Sequence, residues 1–161
     1  MRDDEFERLY EAEAAGLFSF LAYRTGDRSL AEDLLADAFE RALRSRKRFD
    51  RRRGSAKTWL YTIALNLLRD HARRSAAEGR ALERVGGWSA PLADPALAAV
   101  EHRDTLQRAL TRLTPEEREA IALRFGADLT VPEMAAVLDE PLTTVEGRVY
   151  RALRKLREQL A

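Results

Sequence analysis

The stretch Leu129-Thr130-Val131-Pro132-Glu133-Met134-Ala135-Ala136-Val137-Leu138, then Asp139-Glu140-Pro141-Leu142, then Thr143-Thr144-Val145-Glu146, decides how this chain folds. Thr130 and Glu133 have capping-box spacing: a hydroxyl that accepts from the backbone three residues on, and a carboxylate that reaches back. They open a short apolar helix. Asp139-Glu140-Pro141-Leu142 reads as a tight turn, and Thr143 as the cap of a longer last helix. In that helix Val145, Val149, Ala152, Leu153, Leu156 and Leu160 fall on one stripe. Arg148, Arg151, Arg154, Lys155 and Arg157 lie largely outside it. The pattern is a short helix, a tight turn and a longer basic helix.

Upstream, Thr114-Pro115-Glu116-Glu117 is another helix start, with a cap, Pro at the first position and Glu at the third. Ile121, Ala122, Leu123 and Phe125 follow it, and Gly126 ends it. Before it, Leu106, Ala109, Leu110 and Leu113 give one helical face. Residues 75–100 carry Gly79, Gly86, Gly87, Pro91 and Pro95 in an Ala-rich stretch without clear period. They read as a linker that restarts near Pro95. The first half is again helical. An amphipathic segment runs from Phe6 to Leu21 and breaks at Gly26. Ser29 and Glu32 have capping-box spacing for a second helix, with Leu30, Leu34, Leu35, Ala38, Ala42 and Leu43 as its apolar face. The run Arg46-Lys47-Arg48-Phe49-Asp50-Arg51-Arg52-Arg53-Gly54 is too charged for helix interior. Ser55 caps a third helix from Lys57 to His71. Runs of β-branched residues are absent, so the expected fold is all-α, with two small helical domains joined by a flexible linker.

Composition narrows the functions available. The 161 residues contain 28 Lys+Arg, 27 Asp+Glu, two His and no Cys. Without Cys there are no disulfides, thiolate metal sites or Cys nucleophiles. The acidic N-terminus lacks the apolar stretch of a signal peptide, and no run approaches a membrane span, so a cytoplasmic location is expected. The near-zero net charge conceals alternating blocks. Residues 41–74 carry 12 basic and 2 acidic groups, and residues 148–161 carry 5 and 1. Residues 1–40 carry 4 and 11, and residues 101–147 carry 5 and 10. Basic clusters of this kind track a phosphate backbone.

Each basic block suggests its own chemistry. A short helix, a turn and a basic helix form the helix-turn-helix plan, whose second helix enters the DNA major groove. There Arg pairs with guanine or holds phosphates. In the first half Phe49, Trp59 and Tyr61 lie among Arg48, Arg51, Arg52, Arg53 and Lys57. Aromatics beside cations suit stacking on unpaired bases along a backbone-tracking groove. Taken alone, Trp59 is favoured as a core residue. Asn66 can read a base edge or cap a backbone group. Neither a phosphate-binding loop, nor a dinucleotide turn, nor a metal-spaced cluster is present. His71 and His102 read as solvated. No enzyme activity, cofactor, metal or small-molecule substrate is expected.

These motifs resemble the sigma-70 family of bacterial transcription initiation factors, specifically its small extracytoplasmic-function (ECF) group. The matching residues are Ala31-Glu32-Asp33-Leu34 to Asp37-Ala38-Phe39-Glu40-Arg41-Ala42, Arg48-Phe49-Asp50, and Thr58-Trp59-Leu60-Tyr61-Thr62-Ile63-Ala64-Leu65-Asn66. In the second half they are Leu113-Thr114-Pro115-Glu116-Glu117-Arg118-Glu119, Leu123-Arg124-Phe125, Leu129 to Ala135, and Thr144 to Leu153. The resemblance implies a σ2-like bundle over residues 1–75, a linker over 76–100, and a σ4-like helix-turn-helix domain over 101–161. It implies that Asp33, Leu34, Asp37, Phe39 and Arg41 dock on core RNA polymerase. It implies that Arg48, Phe49, Arg51, Arg52, Arg53, Lys57, Trp59, Tyr61 and Asn66 open the −10 element and hold a flipped-out base. It implies that Thr143, Thr144, Glu146, Gly147, Arg148, Tyr150, Arg151, Arg154 and Lys155 read the −35 element as duplex.

Some positions depart from the family. Relatives often carry Lys or Arg where Glu146 stands, and a small polar residue at Gly147. Glu146 can cap with Thr143 or accept from a cytosine amino group, and the cap is the favoured reading. Glu140 replaces an apolar turn residue, which predicts a looser turn. Trp88, in the linker, has no assigned role. The expected partners are core RNA polymerase, promoter DNA and an anti-sigma factor. The chain ends directly after the last helix, so control from outside is expected, including tethering at the membrane through that anti-sigma factor. Two rival readings are a sigma-like mimic that binds an anti-sigma factor and a stand-alone helix-turn-helix repressor.

Overall fold

The computed structural model describes residues 1–78 and 100–160, with side chains in the second segment from residue 104. The linker interior, including Trp88, and the His102 side chain lie outside the described residues. All regular structure among the described residues is helical. The helices are α1 (Asp3–Thr25), α2 (Arg28–Arg44), α3 (Ala56–Ala77), α4 (Val100–Thr111), α5 (Pro115–Ile121), α6 (Val131–Leu138) and α7 (Leu142–Leu160).

Gly26 closes α1 with φ 67°, in the left-handed region, and its N–H donates to the Ala22 carbonyl at 2.9 Å. That reversal sets Asp27 at the head of α2, where its carboxylate accepts from the Leu30 N–H at 3.1 Å. Asp27 therefore takes the cap expected of Ser29, since Asp caps as well as Ser and stands nearer the reversal. Two 3₁₀ turns, Arg46–Arg48 and Arg51–Arg53, lead into α3. Gly54 sits at φ 152°, and a Cβ there would lie 2.9 Å from Thr58 Oγ1. Glycine is required at this entry. Ser55 caps α3 by accepting from the Thr58 N–H at 3.1 Å. α3 runs on through Ser75, Ala76 and Ala77, past the expected boundary, because no Pro or Gly intervenes before residue 79.

The capping boxes of α5 and α6 form as the sequence predicts, Thr114 with Glu117 and Thr130 with Glu133, each pair satisfying the other's backbone N–H. α5 runs into a π-helical turn, Ala122–Gly126, where the Ala127 N–H reaches back to the Ala122 carbonyl at 2.9 Å. α7 departs from expectation. The N–H groups of Thr144 and Val145 donate to the Pro141 carbonyl at 3.1 and 3.2 Å. The helix thus opens two residues early, Thr143 lies inside its first turn, and no capping box forms with Glu146.

α1 packs on α2 and α2 on α3 around Leu17, Phe20, Leu21, Leu60, Tyr61 and Leu65. α5 and α6 pack on α7 around Leu123, Leu129, Met134 and Val145. Arg118 is 6% exposed, and its Nη1 donates to the Leu113 carbonyl at 2.9 Å, with the Leu110 and Thr111 carbonyls at 3.5 Å. It thereby closes the C-terminal end of α4. The two units touch directly: α3 lies on α6, and α1 lies on the π turn.

Candidate nucleic-acid interface

The 3₁₀ turns and the head of α3, with Ala136 and Asp139 at the end of α6, form a cleft of about 520 Å³. Arg48, Phe49, Arg53, Thr58, Trp59 and Thr62 line it. Trp59 is half-buried, with its ring centroid 5.1 Å from that of Phe49. The pair forms an apolar platform beside two guanidinium groups. Arg48, Arg52 and Arg53 are exposed, with no side-chain partner among the described residues. Arg51 instead pairs with Glu5 of α1, and that guanidinium holds the Glu5 carboxyl below the usual range. Asn66 faces solvent on α3 and does not cap any described backbone group. Tyr61 departs from its expected placement. It is 1% exposed, with its ring 6.0 Å from Phe20, so it supports the cleft from within and touches nothing outside. Burial pushes its phenol far up.

The surface assigned to polymerase docking divides in the same way. Asp33, Asp37 and Arg41 are exposed on α2. Leu34 and Phe39 are buried, and Phe39 sits edge-on to Phe6 and Tyr10. Tyr10 is 50% exposed and carries this aromatic cluster to the surface. Its place on α1, far from α2 in sequence, is why sequence reading missed it.

On α7 the residues fall into an exposed face and a supporting face. Thr143, Thr144, Glu146, Tyr150, Arg151 and Arg154 are exposed, and Gly147 lies among them. Arg151 lies over Gly147: a Cβ there would be 3.0 Å from its Nη1. Among the described residues Arg154 approaches only Glu158, at 4.0 Å. Arg148 and Lys155 are held from within. Arg148 makes a two-pronged contact with Glu140 at 3.2 and 2.7 Å, which raises its pKa and pins the turn to α7. The turn expected to be loose is thus cross-braced by the residue that departs from the family. Lys155 Nζ donates to Glu117 Oε1 at 2.8 Å. Burial opposes ionisation of Glu117, but Lys155 and Thr114 outweigh it and hold the carboxyl below its ordinary range.

Two surfaces therefore stand on one chain: a basic aromatic cleft, and a helix with exposed polar and arginine side chains at its N-terminal half. Residues 9–78 match the family described as Sigma-70 region 2, and residues 103–156 match Sigma-70, region 4. The chain is 33% identical over 152 residues to ECF RNA polymerase sigma factor SigW of Bacillus subtilis, covering 87% of this chain and 81% of that protein.

The chain belongs to the ECF RNA polymerase sigma factors.

It is also 33% identical over 158 residues to the ECF sigma factor BldN of Streptomyces coelicolor, spanning 95% of this chain but 59% of that longer protein. Among solved structures, CnrH in complex with the cytosolic domain of CnrY matches with a TM-score of 0.67 and 26% identity. That match covers 99% of this chain and 89% of that one. Among the described residues of this sigma factor, no group of His, Cys, Asp and Glu could hold a metal ion, and no helix is long and apolar enough to cross a membrane.

Proposed function

We propose that this sigma factor binds core RNA polymerase in the cytoplasm and directs it to promoters as a non-enzymatic subunit. The chain through the end of α3 forms the polymerase-docking and strand-opening unit, the segment between α3 and α4 the linker, and α4 to α7 the unit that reads upstream duplex. The reading rests on one observation above others: Trp59 and Phe49 make an apolar platform flanked by the unpaired Arg48 and Arg53. Each base stacked on such a platform contributes about 1–3 kcal/mol, which offsets the cost of leaving the duplex. Arg52, Lys57 and Asn66 extend the surface along the strand. Asp33, Asp37 and Arg41, with the edge of the Phe39–Tyr10 cluster, meet the polymerase.

Upstream, Thr143, Thr144, Glu146, Gly147, Tyr150, Arg151 and Arg154 face the major groove. Arg148 and Lys155 act as positioning residues that hold the turn and α5 against α7. Since Glu146 has no capping duty, it is free to accept from a cytosine amino group. The other solution partner is an anti-sigma factor. Permanganate footprinting of the reconstituted holoenzyme on promoter DNA tests the opening role. Reactive thymines in the upstream part of the bubble are expected, and Trp59→Ala removes them. A helix-turn-helix repressor acting alone would leave every thymine unreactive.

A further inference from the structure

The strand-opening cleft is not open to solvent on all sides. Ala136 and Asp139, at the end of α6, line it together with Trp59, Thr58 and Thr62. Asp139 thus brings an acidic residue into the cleft that Arg48 and Arg53 also line. Lys57, at the head of α3, donates its ammonium to the Asp128 carbonyl at 3.3 Å. Glu13 of α1 and Glu133 of α6 bear on the same joint. Burial pushes the Glu13 carboxyl up, Lys57 draws it back, and Glu133 adds to the rise. The acidic edge of the helix-turn-helix unit thus lies where a phosphate backbone would run. At the other end of the joint, Glu119 of α5 is held from both sides. Arg24 of α1 reaches its Oε2 at 3.0 Å, and Arg69 of α3 its Oε1 at 3.5 Å. The Glu119 side chain is only 13% exposed and the Arg24 side chain 30%. The Arg24–Glu119 pair, partly withdrawn from water, fixes register between the two surfaces, while Arg69, 44% exposed, adds a more solvated contact.

We propose that this closure is autoinhibitory: Glu119, gripped by Arg24 and Arg69, latches the helix-turn-helix unit over the strand-opening cleft. The proposal rests on the assignment of that cleft to unpaired DNA. The acidic block of residues 101–147 serves as an internal substitute for DNA on the basic block of residues 41–74. A protein closed in this way binds unpaired DNA in proportion to its open fraction.

The absence of cysteine permits a direct test in the full chain. Exposed Glu11 and Gln159 are replaced by cysteine (Glu11→Cys, Gln159→Cys), labelled, and the distance distribution between the labels is measured without DNA. In the same proteins, affinity for a fluorescent single-stranded oligodeoxynucleotide of mixed sequence is measured. Glu119→Arg and, separately, Arg24→Glu are expected to broaden and lengthen the distances and to tighten oligonucleotide binding about tenfold. The exchanged pair, Arg24→Glu with Glu119→Arg, restores the short distances and the weaker binding. Glu116→Arg makes the same charge change outside the latch and leaves both readouts as in the parent. If Arg24→Glu and Glu119→Arg leave the distances unchanged, or match Glu116→Arg, the latch is overturned. Longer distances with equal binding by opened and closed proteins overturn the masking alone. No binding by any variant overturns the masking by removing the DNA assignment on which it rests.

Discussion

Trp59 and Tyr61 stand two positions apart on α3 and do different things. Trp59 is half-buried at the cleft, while Tyr61 lies in the core against Phe20. Helical period could have separated them, because Tyr61 falls in line with Leu60, Ala64, Leu65 and Leu68, all buried. Grouping aromatics by nearness to arginines hid that. Trp59→Ala is expected to weaken binding of single-stranded DNA by about 1–3 kcal/mol, or about 5- to 150-fold, as fluorescence anisotropy would measure. Tyr61→Phe keeps the ring in the core and should leave that affinity as it is. Glu146 shows the reverse case. A favoured capping box is legible in Thr143-Thr144-Val145-Glu146, yet Pro141 takes the cap position and frees the carboxylate. Glu146→Ala should relax the preference at one upstream base pair by about 1–3 kcal/mol in a competition among randomised duplexes. Unchanged selectivity would return Glu146 to a solvated surface.

At the scale of elements, the local signals were the most legible. The boxes at Thr114 and Thr130 and the cap at Ser55 rest on residues within three positions, and each forms as read. Pairings across many positions were not legible, because nothing local marks them. Lys155 was assigned to DNA as one of a basic run, but its partner, Glu117, lies 38 residues upstream. The pair joins α5 to α7, so Lys155→Ala should lower the melting temperature by a few degrees, with a ΔΔG of about 1–3 kcal/mol. Because the folded pKa of Glu117 is depressed, its contribution is fully present above the unfolded glutamate pKa. It is lost as pH falls through the folded value. The Lys155→Ala deficit should therefore be constant at neutral pH and shrink below about pH 4 in a pH series of thermal melts. Gly54 belongs to this scale too. With φ 152° and Thr58 Oγ1 2.9 Å from a notional Cβ, Gly54→Ala should displace the arginine turns. DNA affinity would fall more than global stability does.

Over the whole molecule, the alternating charge blocks were legible in sequence, and their meaning was not. They predicted two basic surfaces for DNA. They did not predict that an acidic block would lie against the first of them, because that depends on how α3 meets α6. The all-α fold and the family followed from periodicity and motif order. The joint between the units followed from neither. The central claim is that one chain couples duplex reading to strand opening on RNA polymerase. It is tested most directly by transcription of genomic DNA with bacterial core polymerase, with and without this protein, and mapping of the new 5′ ends. The account predicts new starts that share two upstream elements at fixed spacing, lost with Trp59→Ala and altered in sequence preference with Glu146→Ala. Unchanged 5′ ends, with the protein demonstrably bound to core, would contradict it.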